Sequence, residues 1–462
     1  MRIQGLFLAC SIAPLVLHAN VDGTPVGYAG VPDGVPTDHN GATCATCHTG
    51  GPPPNAAGRI VLSVTNFSPG VQQNISVQIN DTEQRLFAFQ LSARLASDHT
   101  KPAGTFQPTP NQTQVLCANG NPGPCGGGVE YVTNVAAAAQ PLTPGTRTFS
   151  IIWNPPGRDV GTVVFYVAAV AANGDGTPLG DHVYQVSGQQ ASAAPCSLTG
   201  PPAFNAQGAV EDAAASHITI ASYGLFTING SGFFAAGAPP YAATLTDLDS
   251  NGNWPTELGC VSVMVNGTAV PLYYVGNQQI RAQAINFPAS EGADVQVILN
   301  PGAANQIKGP VYTAAGAPVA PTLFTFNPSG TGNAAAFDAT KNADLADTSV
   351  VPTAVSASPG DLIELFGTGF GAVISSPPYV PGEFALTLTP VANPFSVTIG
   401  RVAVPSDDIL YVGMAPDPTR QYNAPGLYAV VLRLPQLPAG DQPVTVTVGS
   451  SSTQGQVTIP IQ

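Results

Sequence analysis

Apolar and polar side chains alternate along most of the chain after residue 59, which is the period of a β-strand with one buried face. The alternating runs are rich in β-branched and aromatic residues and are bounded by Gly, Pro, Asn or Asp. Examples are RIVLSVTNF (59–67), NISVQI (74–79), LFAFQLSARL (86–95), RTFSIIW (147–153) and TVVFYVAAVA (162–171). AVEDAAASH (209–217) comes nearest to an amphipathic helix, and it is short. We therefore predict an all-β chain built of β-sandwiches.

The second half of the chain contains an internal repeat. The matching blocks are GLFTINGSGF (224–233) with DLIELFGTGF (361–370), CVSVMVNGTAVPLYYVGNQQIRAQAI (260–285) with FSVTIGRVAVPSDDILYVGMAP (395–416), and ADVQVIL (293–299) with QPVTVTV (442–448). Because the blocks recur in the same order, they predict two related sandwiches in tandem. We place these at residues 218–325 and 345–462, with a Gly/Asn/Ala-rich stretch between them.

The remaining divisions follow from changes in composition. Residues 188–217 are small, polar and proline-containing, which is typical of a linker. The alternating runs before this linker predict a first sandwich over residues 59–187. Residues 20–58 form a separate N-terminal segment that lacks the alternation.

Residues 1–19, MRIQGLFLACSIAPLVLHA, have the layout of a secretory signal peptide, with one basic residue before an apolar run and small residues at the end. Cleavage after Ala19 is expected, and a lipoprotein signal ending at Cys10 is the alternative. No other segment approaches the roughly 20 apolar residues that a membrane span needs. We therefore expect an exported protein with no membrane span in its mature chain, in the periplasm, at the cell surface or outside the cell.

Charge is scarce and negative along this chain. Charged residues make up 9% of the sequence, and the formal net charge is −14. Such a chain lacks the positive surface that binds nucleic acid or an anionic membrane. It also contains no G-x-S-x-G, H-E-x-x-H or P-loop motif. We therefore expect neither a nucleic-acid partner nor enzymatic activity.

Six cysteines remain after removal of the signal peptide, an even number that suits an oxidising compartment. Cys117 and Cys125 bracket the turn-rich sequence ANGNPGP, and we predict a disulfide between them. Cys196 and Cys260 remain as a possible pair across a domain boundary, although the sequence does not fix their connectivity. These four residues are predicted to act as staples.

The sequence HNGATCATCHTGG (39–51) concentrates reactive side chains that are rare elsewhere in the chain. Cys44, Cys47 and His48 form a complete C-x-x-C-H motif, which is the attachment site of c-type haem. Two thiols at this spacing reach the two vinyl groups along one haem edge, and the adjacent imidazole reaches the iron. We predict covalent haem c, with Cys44 and Cys47 as thioether ligands and His48 as the proximal ligand.

Alternatives to haem remain open for this motif. Cys44 and Cys47 could form a simple or redox-active disulfide, or they could bind zinc together with His39 and His48. If haem is bound, the N-terminal region offers no methionine for the sixth position once the signal is removed. The candidate sixth ligands are then His182, in GDHVYQ, and His99, in SDHTKPAG, because His39 is only five residues before Cys44.

A calcium loop is a further candidate site. Asp247, Asp249 and Asn251 in TDLDSNGNWPTEL (246–258) match the first half of an EF-hand loop. Position twelve is Leu258 instead of glutamate, and no helical pattern flanks the loop. The competing interpretation is a solvated loop of turn-forming residues.

Two families resemble parts of this chain. GATCATCHTG (41–50), LFAFQLSA (86–93), KPAGTF (101–106) and WNPPGRDVGTVVFYVAAVAANGDGTPLGDHVYQ (153–185) resemble bacterial reeler-like domains in which a C-x-x-C-H segment precedes the sandwich and the anchor varies. GTGFG (367–371), SVTIGRVAVPSDDILYVGMAP (396–416) and GLYAVVLRLPQLPAGDQPVTVTVG (426–449) resemble the Solibacter-type C-terminal module, whose halves are immunoglobulin-like TIG domains. The resemblances imply one reeler-like and two Ig/TIG-like sandwiches, the latter as spacer or display units.

Together these patterns favour an exported haem c protein that transfers electrons or senses redox state outside the cytoplasm, with an unidentified redox partner. The alternative is a structural or adhesive surface protein that binds a surface partner and whose C-x-x-C-H motif is a disulfide or metal clip. A thioether bond distinguishes the two, because an adhesive protein has no use for it.

Overall fold

The computed structural model describes residues 23–138, 145–249, 251–420 and 423–462, and the expected signal peptide with Cys10 lies outside them. In these ranges the regular structure consists of β-strands and short 3₁₀ helices, which form six sheets around three main apolar cores. The prediction of an all-β chain of tandem sandwiches is confirmed. No helix in the described ranges is both long and apolar enough to cross a bilayer. The 3₁₀ helices are Pro36–Asp38, Cys44–Thr46, Ala136–Ala138, Leu245–Asp247 and Ser406–Asp408.

The first sandwich has a four-stranded sheet, β1-β2-β8-β5, facing a second sheet in the order β10-β9-β3-β7-β6, with β4 paired to β3. Its core includes Trp153, Phe149 and Phe165, all fully buried. The strands are β1 (Arg59–Ser63), β2 (Gln73–Asp81), β3 (Leu86–Leu95), β4 (Asp98–Pro102), β5 (Thr105–Gln107), β6 (Thr113–Cys117), β7 (Glu130–Asn134), β8 (Gly145–Asn154), β9 (Val163–Ala172) and β10 (His182–Ala191).

The middle sandwich contains the strands β11 (Ala203–Phe204), β12 (Val210–Asp212), β13 (Thr219–Ala221), β14 (Leu225–Ser231), β15 (Tyr241–Ala242), β16 (Glu257–Leu258), β17 (Val261–Val265), β18 (Thr268–Ala269), β19 (Leu272–Val275), β20 (Gln279–Gln283), β21 (Glu291–Leu299) and β22 (Ile307–Ala317). One sheet has the order β11-β14-β20-β19-β15, with β12 on β14. The other has the order β13-β22-β21-β17-β16, with β18 on β17.

The C-terminal sandwich contains the strands β23 (Thr322–Leu323), β24 (Gly332–Asn333), β25 (Ala336–Asp338), β26 (Ala343–Asp344), β27 (Leu362–Thr368), β28 (Thr389–Pro390), β29 (Phe395–Ile399), β30 (Val402–Ala403), β31 (Ile409–Met414), β32 (Tyr428–Arg433), β33 (Gly440–Val448), β34 (Ser451–Ser452) and β35 (Val457–Ile461). Its sheets have the orders β26-β25-β27-β32-β31-β28, with β23 on β27, and β24-β35-β33-β29-β30, with β34 on β33.

The middle and C-terminal sandwiches share the order of their main strands, although β16, β26 and β34 have no counterpart in the other copy. The strand that leads into the G-x-G-F motif is β14 in the middle sandwich and β27 in the C-terminal one. It pairs with β20 in the first case and with the equivalent strand β32 in the second. Each also has one parallel pair, β13 with β22 and β24 with β35. The equivalent strands β19 and β31 carry a register shift at the same point, before Tyr274 and before Tyr411. The repeat in the sequence is thus a repeat of structure.

Two segments that the sequence analysis treats as connections contain strands of the sandwiches that follow them. Residues 188–217 include the end of β10 and the strands β11 and β12, which pair with β14. The stretch between residues 325 and 345 includes β24, β25 and β26. These strands are only two or three residues long, so they are too short to show an alternating pattern.

Both cysteine pairs named from the sequence are joined in the structure. Cys117 and Cys125 form a disulfide over a separation of 8 residues, which closes the loop between β6 and β7. Cys196 and Cys260 form a second disulfide over a separation of 64 residues. This bond ties the segment after β10 to the start of β17, so it anchors the connection on the middle sandwich.

One buried acid of the first sandwich predicts a dependence of stability on pH. Glu130 is 6% exposed, and its carboxylate accepts a hydrogen bond from the Phe106 N–H at 2.7 Å. Burial raises the pKa of Glu130 to about 7 from 4.5. The unfolded chain therefore releases this proton at lower pH than the folded protein, so stability present below pH 4.5 is lost as the pH rises through 7.

We expect the variant Glu130→Gln to match the native protein at pH 4.5 and to be more stable at pH 8, by on the order of 2 kcal/mol. Glutamine keeps an acceptor for the Phe106 N–H without the charge. Urea unfolding at the two pH values measures the difference, and exposed Glu291→Gln is the control. An advantage of Glu130→Gln that is the same at both pH values would contradict the prediction.

Candidate functional site

The N-terminal segment lies across the outer face of the first sandwich. Strand β9 is buried on both faces: its inward side chains belong to the main core, and its outward ones are covered by this segment. Ala29 and Val31 pack on outward-facing Val164 and Tyr166. Further along the same face, Cys44 packs on Ala168, Val170 and Val183. The C-x-x-C-H motif is therefore part of the folded domain.

A buried ion pair fixes this segment to the sheet. Asp38 accepts hydrogen bonds from both terminal nitrogens of Arg94, at 2.9 Å for Nη2 and 3.1 Å for Nη1. The hydroxyl of Tyr131 donates to the same carboxylate at 2.6 Å. The side chains of Arg94 and Asp38 are 0% and 1% exposed. Because both side chains are removed from water, removal of either charge would leave the other buried without a counter-charge.

The two cysteines of the motif differ in their surroundings. They sit in and just after the 3₁₀ helix Cys44–Thr46, which Thr43 caps by accepting a hydrogen bond from the Ala45 N–H. Both thiols are free, but Cys44 is buried and Cys47 is exposed. Burial raises the pKa of the Cys44 thiol to about 12. This direction is opposite to the lowered pKa that activates reactive thiols.

His48 is held in one orientation by a buried carboxylate. Its Nδ1 lies 2.6 Å from Oδ2 of Asp181, whose side chain is fully buried. The other oxygen of Asp181 accepts the Asn173 N–H at 3.0 Å. Paired backbone hydrogen bonds join Thr49 to the same loop, from Thr49 N to Pro178 O and from Gly180 N to Thr49 O.

The Asp181 contact determines which imidazole nitrogen is available to a ligand. A carboxylate acceptor places the proton on Nδ1 and leaves the lone pair on Nε2. No hydrogen-bond partner of Nε2 is found among the described residues. The sequence analysis did not identify Asp181 as a partner of His48, although it named the next residue, His182, in GDHVYQ. The one sequence feature that could have indicated Asp181 is its position beside that histidine.

His182 points away from the motif. It precedes Val183, which faces Cys44, so alternation along β10 places its side chain on the opposite, inner face. There its Nδ1 lies 2.6 Å from Asp81, which also accepts the Tyr184 hydroxyl. Burial opposes ionisation of Asp81, but hydrogen bonds from these side chains and from the backbone outweigh it and lower the Asp81 pKa.

His99 lies on the same face as Cys44, but both of its ring nitrogens have partners. Nδ1 is 3.1 Å from the Pro32 carbonyl oxygen, and Nε2 is 3.2 Å from the Tyr166 hydroxyl. Tyr166 precedes Val170 by four residues, which is about 13 Å along a strand. In the described part of the chain, the structure thus brings neither His99 nor His182 to His48, and each of the two is held by other partners.

The zinc and calcium candidates are not assembled either. Among the described residues, no group of three or more His, Cys, Asp and Glu side chains is arranged to hold a metal ion. The ring of His39 packs against Tyr28 at 5.1 Å. The carboxylate of Asp249 accepts the backbone N–H groups of Asn251 and Asn253, as in an ordinary turn.

Asp247 makes structural contacts within the middle sandwich and to the first sandwich. It is fully buried and accepts hydrogen bonds from the Tyr241 hydroxyl at 2.9 Å and from the Thr244 N–H at 2.7 Å. Its other oxygen accepts the N–H of Gly157, which belongs to the first sandwich. Burial raises its pKa, and these hydrogen bonds only partly offset that effect. The carboxylate of Asp247 thus faces these inward donors, and calcium binding by the loop stays a prediction.

Comparison with known proteins gives distant likenesses only. No protein-family model matches the chain, and no curated protein matches it. The human F-spondin reeler domain is similar at 17% identity over 32% of this chain and 92% of that one, with a TM-score of 0.20. The Reelin-N domain of F-spondin is similar at 16% identity over 33% of this chain and 95% of that one, with a TM-score of 0.22.

The Bacteroides ovatus mixed-linkage glucan utilization locus protein SGBP-B is similar at 11% identity over 78% of this chain and 63% of that one, with a TM-score of 0.24. At these TM-scores none of the likenesses carries an argument about binding or activity. The resemblance of residues 217–462 to the Solibacter-type module stays a prediction.

Proposed function

We propose that this protein is an exported mono-haem c protein, with haem bound through Cys44 and Cys47 and with His48 as the iron ligand. Its role would be electron transfer or redox sensing outside the cytoplasm. The carrying observation is the state of His48: its Nδ1 is taken by the buried Asp181, and its Nε2 is left for a ligand. Iron-bound histidines generally have such a partner on the other ring nitrogen.

The residues present fit the group. Both thiols of the motif are free, whereas the other four cysteines of the described chain are joined in disulfides. Cys44 is surrounded by alanine and valine side chains, which suit an apolar macrocycle. When bound, haem supplies one-electron chemistry at its iron. The protein would hold the imidazole in place through Asp181 and fix the segment on the sheet through Asp38 and Arg94.

The test is the visible spectrum and intact mass of the protein after export from a host with cytochrome c maturation machinery. We expect a haem-sized mass increase that survives denaturation, and c-type absorption bands. Both should disappear in Cys44→Ala/Cys47→Ala and persist in the control Cys117→Ala/Cys125→Ala. A colourless protein with only the mass losses of disulfides would reject the proposal and favour a structural or adhesive surface protein.

A second prediction concerns Asp181. Replacing Asp181 by Asn weakens the hydrogen bond at His48 Nδ1 and makes the imidazole a poorer electron donor. We expect the haem to remain attached and its reduction potential to rise, by on the order of tens of millivolts. Potentiometric titration measures the shift.

The control for this variant is Asp175→Asn, which changes an exposed acid in the same loop. Its potential should match that of the native protein. A potential for Asp181→Asn equal to that of the control, with haem attached, would remove Asp181 from the proposal and leave the attachment itself unaffected.

A further inference from the structure

A cleft of about 720 Å³ opens on the middle sandwich, at the end where β14, β19 and β20 meet. Its lining is dominated by amides and one aromatic ring; the charged Arg281 and Glu211 contact lining residues but are not among them. The lining residues are Asn205, Asn229, Gly230, Ala238, Pro240, Tyr274, Gly276, Asn277, Gln278 and Gln279. Asn205, Asn277 and Gln278 are exposed. Each of their amide groups both donates and accepts hydrogen bonds.

The floor of the cleft is ordered by a chain of side-chain contacts. The guanidinium of Arg281 lies over the ring of Tyr274, 5.0 Å from its centroid, and its Nε donates to Gln279 at 3.0 Å. Gln279 in turn donates to Asn229 at 3.2 Å, and Asn229 donates to the Gly208 carbonyl at 2.9 Å. These contacts fix the orientation of the Asn229 and Gln279 amides and leave the exposed amides of the cleft unoccupied.

The C-terminal sandwich shows that the fold does not require the polar side chains of Asn229, Gln279 and Arg281. Asn229 pairs with Gln279, and the equivalent pair is Phe366 with Ala429. Tyr274 pairs with Arg281, and the equivalent pair is Tyr411 with Val431. The aromatic position is retained in the second copy, while two amides and the arginine are replaced by apolar side chains.

The cleft is also closed in the second copy. The hydroxyl of Tyr411 accepts the Thr389 N–H and donates to the Met414 carbonyl. The Thr389 carbonyl oxygen occupies the space beside Gly413. At the equivalent Gly276, the nearest atoms that a Cβ would meet belong to the side chains of Pro240, at 3.1 Å, and Tyr274, at 3.5 Å. The hydroxyl of Tyr274 has no hydrogen-bond partner among the described residues.

We propose that this cleft binds a neutral, hydroxyl-rich ligand, a glycan segment. Sugar hydroxyls both donate and accept hydrogen bonds, as the amides do. They are uncharged, and so are the residues that line the cleft. Tyr274 offers an apolar ring with a polar end, which suits a pyranose with its C–H and O–H groups. The assignment rests on the polar lining of this cleft and on its absence at the equivalent positions of the C-terminal sandwich.

Affinity electrophoresis of the full-length exported protein tests the proposal. The gels contain dextran, galactomannan, xyloglucan, arabinoxylan or mixed-linkage β-glucan, with polygalacturonate as the anionic comparison. We expect retardation by at least one of the five neutral polymers and none by polygalacturonate. The double variant Asn277→Ala/Gln278→Ala, on an exposed turn, should bind at least tenfold more weakly, as should Tyr274→Ala.

The matched control is Gln306→Ala, an exposed amide in a loop of the same sandwich and outside the cleft, which should bind like the native protein. Retardation by none of the five neutral polymers would overturn the proposal. Equal retardation of the native protein and the double variant, or retardation by polygalacturonate alone, would also overturn it.

Discussion

Replacing Asp38 by Asn should destabilise the first sandwich by about 3 to 5 kcal/mol, the cost of removing one partner from a buried ion pair. The guanidinium of Arg94 would remain fully buried with its charge uncompensated. The Tyr131 hydroxyl would also lose the carboxylate that accepts its hydrogen bond. Because Asp38 belongs to the N-terminal segment, the same change should loosen the cover over β9.

The two tryptophans allow this effect to be measured in one sandwich. Trp153 lies in the core of the first sandwich, and Trp254 lies in a loop of the middle one, where its ring stacks on Phe384 of the C-terminal sandwich. In a Trp254→Phe background, denaturant unfolding followed by fluorescence reports on the first sandwich alone. The control Asp33→Asn removes an exposed acid of the same segment and should change stability by less than 0.5 kcal/mol. A loss below 1 kcal/mol for Asp38→Asn would show that the pair does not fix the segment.

Removing the disulfide between Cys196 and Cys260 should destabilise the middle sandwich by about 4 kcal/mol. The bond closes a loop of 64 residues, so it removes much of the freedom of the unfolded chain. The bond between Cys117 and Cys125 closes a loop of only 8 residues and should contribute about 2.5 kcal/mol to the first sandwich. Alanine pairs at each site test both values.

Trp254 fluorescence in a Trp153→Phe background measures the first effect, and Trp153 in the reciprocal background measures the second. Each alanine pair should leave the other sandwich unchanged. If the Cys196→Ala/Cys260→Ala variant lost no more stability than the Cys117→Ala/Cys125→Ala variant, the length of the closed loop would not govern these two bonds.

The all-β class was predictable because strand periodicity is a local property. The internal repeat identified the two copies, since their strand blocks recur in order. The run TVVFYVAAVA also contained more than a strand. The sequence analysis grouped it with the alternating runs, but after Thr162 it is apolar throughout, and a strand that is apolar on both faces must be covered on both faces. The cover proved to be the N-terminal segment, which carries no periodicity of its own.

The partners within the candidate site were not predictable, because they are separated by long stretches of chain. His48 and Asp181 are 133 residues apart, and Asp38 and Arg94 are 56 residues apart. His182 was proposed as a ligand from its residue type alone. Its direction depends on strand register: the neighbouring Val183 faces Cys44, so His182 faces Asp81. A shift of one residue along the strand would reverse which of the two side chains faces Cys44.

The burial of the Cys44 sulfur has a consequence for the order of assembly. Once the N-terminal segment is docked, Cys44 is buried against Ala168 and Val170 of the sheet, so a modifying enzyme cannot reach its thiol. Any bond made to it during maturation must therefore form before the segment closes on the sheet. Under the proposed function, maturation and docking compete in time, and a chain that folds too early would remain unmodified.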